Sequence, residues 1–140
     1  MHPMGKTEAL VYVDTSVLVA MTGEEAHSRW ALTTLRGRAM VSSAILRVEL
    51  ARFAHRMNYG LGYVRELESR VSLVNVDDAV IAAAVAISGE VKTLDSLHVG
   101  TWARLQSLGV TCPFVTADRK QALAAASMGA TVIHPYGELR

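Results

Sequence analysis

The chain has 140 residues, which suits one compact domain spanning residues 1–140 and leaves little room for a second. Apolar residues make up 51% and aromatics only 6%, so Ala, Val and Leu must supply the core; helices packed on a buried sheet fit this better than an aromatic-rich β-sandwich. The net charge of +1 neither requires nor rejects a nucleic-acid partner, and the single cysteine, Cys112, excludes a disulfide framework and a cysteine-based zinc site, which points to a reducing cytoplasm.

Short apolar runs alternate with longer helical patterns, the signature of βα repeats around a mainly parallel sheet. Residues 9–13 form a continuous β-prone run, as expected of a strand covered on both faces. A short helical turn is predicted from Thr15 to Met21, then a helix over Glu24–Arg36 closed by Gly37. A second strand covers 39–42. The helix over 44–57 carries Leu46, Leu50, Phe53 and Met57 on one face. Asn58-Tyr59-Gly60 breaks the chain before a helix ending near Arg70. A third strand follows over 71–76, and Asp77 is placed to cap an Ala-rich helix that runs to Ile87. After a polar connector, a helix over 94–108 leads to a fourth strand over 110–116. The last long helix covers 118–128, and a short strand over 131–134 completes the pattern. The longest apolar stretches, such as 79–87, fall well short of the roughly 18 residues a bilayer requires. Residues 1–9 are too polar for a secretory signal. No membrane association is expected.

Four carboxylates occupy positions where such a fold places its chemistry. Asp14 ends the first strand and Asp118 lies just past the fourth; open α/β sheets bind ligands outside the carboxyl ends of their strands. Glu49 lies within a helix, at the border of its apolar face, where an unpaired carboxylate is costly. Asp95 lies in the first turn of another helix. Each has an ordinary structural explanation: Asp14 and Asp118 as helix caps, Asp118 with Gln121 as a capping box, Asp95 as a partner of the helix dipole, and Glu49 in a salt bridge to Arg47 or Arg52. Capping and metal binding are compatible. Together the four form an oxygen-ligand set of the kind chosen by hard divalent ions such as Mg²⁺ and Mn²⁺. Setting those four aside leaves nine acidic residues against fourteen basic ones, a balance of +5 that would attract phosphate around an acidic pit.

At these residues the chain resembles the PIN-domain family, in particular its VapC-like toxin branch. Tyr12-Val-Asp14-Thr15-Ser16-Val17-Leu18 is similar to the family's opening strand and first aspartate. Ser42-Ser43 followed by Arg47-Val-Glu49-Leu resembles the segment carrying its helical glutamate. Leu94-Asp95-Ser96-Leu97-His98 looks like its Asp-Ala/Ser-(apolar)-His element, and Phe114-Val-Thr116-Ala117-Asp118-Arg119 its strand-end Thr/Ser-x-Asp. The resemblance covers nearly the whole chain in order and spacing. It implies a three-layer α/β/α domain with a central sheet of four to five strands, and an endoribonuclease using Mg²⁺ or Mn²⁺. Asp14, Glu49, Asp95 and Asp118 would then be the catalytic metal site, with Asp14 and Asp118 as direct ligands and Thr116 and Ser16 as hydroxyls that orient them. It also implies an RNA substrate, a small antitoxin partner and a homodimer. Lys92-Thr-Leu94 and Val99-Gly100-Thr101-Trp102 depart from the commoner family sequences; Gly100 inside a helix suggests close helix packing, such as at a dimer seam.

Other residues have simpler readings. His98 is read as structural, because the carboxylates already account for the chemistry. His27, His55 and His134 show no zinc spacing and are assigned surface or packing roles, Met57 and Met128 fill core space, and Trp30 and Trp102 pack. Arg47, Arg52 and Arg56 lie along one helix, a solvated face by default and a phosphate contact in the alternative. Two rival functions are a non-catalytic binding module of the same fold and a receiver-type phosphoacceptor domain. The second fits poorly, since Tyr12-Val13 precedes a lone Asp14 where an acidic pair would be needed.

Overall fold

The structure, a computed structural model, describes residues 9–23 and 25–139. Strands β1 (Leu10–Val13), β2 (Ala39–Ser43), β3 (Val71–Val74), β4 (Phe114–Val115) and β5 (Val132–Ile133) pair in the order β3-β2-β1-β4-β5, and every pairing is parallel. Helices α1 (Thr15–Ala20), α2 (Ser28–Leu35), α3 (Leu46–Met57), α4 (Leu61–Glu68), α5 (Asp78–Val85), α6 (Thr93–Ser107) and α7 (Arg119–Ser127) connect them.

Alternation along the strands separates two cores. Val11, Val13, Met40 and Val115 face Val17, Leu18, Ala31, Leu46, Leu50 and Leu67 from α1 to α4. Tyr12, Val41 and Phe114 point the other way, onto Val99, Trp102 and Leu105 of α6 and Ala124 and Ala125 of α7. Tyr12 and Phe114, on neighbouring strands, stack with ring centroids 4.9 Å apart. This is the expected layered α/β/α arrangement. The strand order reverses between β1 and β4, so the residues following these two strands border one crevice.

Most predicted elements are present with trimmed ends. The fourth strand is the main exception: of 110–116 only Phe114–Val115 pairs as strand. Pro113 has no N–H to donate to a ladder, although its carbonyl accepts from the Tyr12 amide at 2.9 Å. The predicted helix over 24–36 is helical over Ser28–Leu35, and its first residue, Glu24, lies outside the described residues. Asp77 caps α5 as predicted, accepting from the Val80 amide at 2.9 Å. Met57 and Met128 do not fill the core: they are 41% and 37% exposed, each at or just past the last turn of a helix whose buried face ends earlier. Trp102 does pack, and its indole N–H donates to the Cys112 carbonyl at 2.8 Å.

Gly100 is explained within the chain rather than by a dimer seam. A Cβ there would meet the backbone nitrogen of Ala84 at 2.8 Å and its Cα at 3.0 Å, so α6 and α5 approach through the missing side chain. Gly100→Ala would gain roughly 1 kcal/mol of helix propensity, but overpacking against backbone costs about 1–3 kcal/mol. The expected result is a net loss of stability, seen as a lower denaturant midpoint. An unchanged or raised midpoint would show that the helices can separate at little cost.

Candidate functional site

Asp14 follows β1 and caps α1, accepting from the Val17 amide at 3.3 Å. Its Oδ1 also accepts from the Ser16 hydroxyl at 2.6 Å and its Oδ2 from Thr116 at 2.5 Å. The Thr116 hydroxyl oxygen in turn accepts from the Asp118 amide at 3.0 Å, and Ser16 accepts from the Ala117 amide at 2.9 Å. Two hydroxyls therefore stitch the end of β1 to the end of β4. Thr116 is fully buried behind the wall of the cleft and holds Asp14 rather than facing solvent.

Asp118 caps α7 by accepting from the Gln121 amide at 3.0 Å. Only half of the expected capping box forms, because the Gln121 side chain is buried and its polar atoms make no hydrogen bond. Glu49, in the first turn of α3, is not paired with an arginine. Arg47 instead reaches Glu68 of α4 at 3.3 Å, since α4 packs beside α3 and brings that carboxylate within range. Glu49 Oε1 accepts from the Thr15 hydroxyl at 2.5 Å and from His98 Nε2 at 2.8 Å. The other ring nitrogen of His98, Nδ1, lies 2.7 Å from the Tyr12 hydroxyl. Nδ1 is thus engaged by the buried phenol, and Nε2 is the ring nitrogen presented to Glu49. Asp95 sits in the first turn of α6 and makes no hydrogen bond or ion pair among the described residues.

Asp14, Glu49, Asp95 and Asp118 come from four separate segments and line one cleft of about 570 Å³, together with Thr15, Ser16, His98, Arg52 and Arg56. From sequence, His98 is expected to be structural. The structure places it, with Thr15 and Tyr12, directly behind Glu49. The proximity of His98 to Asp95 in the chain was the available signal, and it pointed to the wrong carboxylate. Arg52 and Arg56 face the cleft; Arg47 does not.

The electrostatics reflect crowded negative charge. Burial pushes the Asp14 carboxyl up to about 6, against the opposing pull of His98, Ser16, Thr116 and the Val17 amide. Asp95 is also raised, first by burial and then by Asp118 and Glu49, with His98 and Lys92 offsetting part of the effect. Burial works on Glu49 in the same direction, but the hydrogen bond and charge of His98, with the Thr15 hydroxyl, bring it below its ordinary value.

The donor set fits a hard, hydrated cation. Glu49 Oε2 and Asp118 Oδ2 accept no hydrogen bond among the described residues, nor does either oxygen of Asp95. Such oxygens on a shared wall are the ligands that Mg²⁺ and Mn²⁺ take alongside several waters. Among the described residues, no three His, Cys, Asp or Glu side chains are grouped so that together they could hold a metal ion.

Comparison with known proteins locates the fold. The family profile described as PIN domain matches residues 11–127. No curated protein matches the sequence significantly. Among solved structures, a chain of a toxin–antitoxin complex from Klebsiella pneumoniae superposes with a TM-score of 0.64 at 20% identity, over 91% of this chain and 99% of that one. At that identity the likeness is one of fold. Among the described residues no helix is long and apolar enough to cross a membrane.

Proposed function

Because the chain belongs to the PIN-domain family, we propose that it is a metal-dependent endoribonuclease, the toxin of a toxin–antitoxin pair acting in the cytoplasm. The observation that carries this reading is the meeting of Asp14, Glu49, Asp95 and Asp118 in one cleft, with hydroxyls fixing the first of them. Asp14 and Asp118 would hold Mg²⁺ or Mn²⁺ directly, and Glu49 and Asp95 directly or through water. When bound, the cation lowers the pKa of a water and stabilises charge on the phosphodiester oxygens.

The chain's own side chains do the rest. Ser16 and Thr116 hold both oxygens of Asp14, so the carboxylate keeps one orientation through the reaction. His98 and Thr15 fix Glu49 by one oxygen and leave the other free toward the cleft. The Gln121 amide does the same for Asp118. Arg52 and Arg56 line the cleft and supply positive charge for the substrate's phosphates. Water is the nucleophile, and no protein group forms a covalent intermediate.

The family also supports an RNA substrate, a small antitoxin partner and a homodimer, and one solved structure of like fold is a chain of a toxin–antitoxin complex. The test is cleavage of labelled structured and unstructured RNAs in Mg²⁺, Mn²⁺ or EDTA, with Asp118→Asn alongside. Cleavage is expected with either metal, lost in EDTA and suppressed by the substitution. Induced expression of the active protein should arrest growth, and co-expression of a short neighbouring gene product should restore it. Cleavage that persists in EDTA and in Asp118→Asn would reject the mechanism; unaffected growth would reject the toxin role.

A further inference from the structure

Beside the acidic cleft lies a cluster of rings that the carboxylate chemistry does not use. The Tyr136 hydroxyl donates to the Ala117 carbonyl at 2.6 Å, which pins the ring next to the loop carrying Asp118. His27, on the segment before α2, meets Tyr136 edge to face at 5.3 Å between centroids, and it lines the cleft, as does Ala117. His134 lies nearly parallel to Tyr136 at 6.0 Å, and the Tyr136 amide donates to its Nδ1 at 3.1 Å. The Arg119 guanidinium stands over the Tyr136 ring at 5.8 Å. The three rings are half-buried and belong to neither hydrophobic core. Arg119 is exposed.

Three partly solvated rings thus gather beside the segment that carries Asp118, and one of them, His27, lines the acidic cleft. Aromatic faces and a guanidinium plane are the groups on which unstacked bases settle, and they carry little sequence preference. We propose that His27, His134, Tyr136 and Arg119 form a seat for one unpaired nucleobase flanking the phosphate held in the cleft. This inference rests on the ribonuclease reading and deepens it: the substrate at this point is single-stranded RNA. A base inside a duplex has both faces covered by its neighbours and cannot enter the seat. Tyr136 anchors the assembly through its hydroxyl, and His27 is the member that reaches the cleft wall.

The experiment uses a single-stranded oligoribonucleotide with 2-aminopurine, whose fluorescence falls on stacking, moved one position at a time. Binding is followed in Ca²⁺, and cleavage of the same oligonucleotides is followed separately in Mg²⁺ and Mn²⁺. The seat predicts quenching at one or two adjacent positions, absent when the same sequence is held in a duplex. His27→Ala should restore the fluorescence and weaken binding about tenfold, the scale of one aromatic–base contact. His27→Phe, which keeps a ring, should retain the quenching, and Tyr136→Phe should retain the ring while loosening its anchor. Circular dichroism checks that each variant is folded. Quenching that is uniform along the strand, or that His27→Ala leaves intact, overturns the seat. Position-specific quenching without cleavage in either metal would sink the ribonuclease reading and leave the seat standing.

Discussion

Asp14→Asn is expected to abolish metal-dependent cleavage and, at about pH 7.5, to raise the melting temperature of the metal-free protein. The activity loss should be on the order of a thousandfold, because a cation held at the phosphate contributes several kcal/mol to the transition state. The stability gain follows from burial. Asp14 is 3% exposed, and its carboxyl titrates near 6 in the folded chain against 3.8 as a free side chain. A raised carboxyl favours the folded state fully only below its unfolded value, and the advantage is lost as pH rises through about 6. Above that range the metal-free protein carries a buried charge that asparagine removes. A two-unit shift corresponds to at most about 3 kcal/mol. Asn cannot accept from both Ser16 and Thr116 as a carboxylate does, so a net gain of about 1–2 kcal/mol is expected. The difference between variant and wild type should therefore be small near pH 3.5 and grow toward neutrality. Adding Mg²⁺ or Mn²⁺ should stabilise the wild type and not the variant, since only a group that binds the folded state shifts its stability. Thermal melts across pH, with and without metal, check each part. A variant less stable than wild type at neutral pH in EDTA would show that the hydrogen bonds to Asp14 outweigh its burial.

The second large effect is expected at His98, which is 1% exposed and joins Tyr12 to Glu49. His98→Leu removes the hydrogen-bond partner of a buried phenol and the ring nitrogen that meets a half-buried carboxylate. Each orphaned group costs about 1–3 kcal/mol, and the partial exposure of Glu49 keeps its share at the low end. A total loss of about 3 kcal/mol is expected at pH 7. The Glu49 contribution has a definite sign. Its carboxyl is held below the ordinary range, so its stabilisation is present at neutral pH and lost as pH falls through that lowered range. Acid unfolding should accordingly shift less with pH in the variant. His98 positions Glu49 rather than touching substrate, and a measurement that packing alone would not move separates the two roles. His98→Leu should weaken Mn²⁺ affinity roughly tenfold, the usual effect of losing a group that orients a ligand. His98→Gln, which keeps an N–H donor, should recover part of it. Unchanged Mn²⁺ affinity in a folded His98→Leu protein would reduce His98 to a packing residue.

How far the sequence leads depends on the kind of interaction. The βα order, the parallel sheet and the caps at Asp14, Asp77 and Asp118 were legible because each rests on groups within a few residues of one another: apolar periodicity, a strand followed by a turn, a carboxylate three residues before an amide. The site carboxylates were legible for a related reason. The ends of β1 and β4 must meet once the sheet order reverses between them, and Asp14 and Asp118 stand at those ends. Partner choice was not legible. Glu49 has Arg47 two residues before it and Arg52 three residues after it on its own helix, yet its partner is His98, forty-nine residues on, while Arg47 turns to Glu68 of the next helix. The rings around Tyr136 gather from segments on either side of the chain's middle, and nothing in their spacing announces it. A side chain that reaches across the fold is paired by whatever the packing of whole elements brings within about 3 Å, and that distance is a property of the assembled layers. Local chemistry determined where the carboxylates stand along the chain; only the tertiary packing decided what holds them and which rings gather beside them.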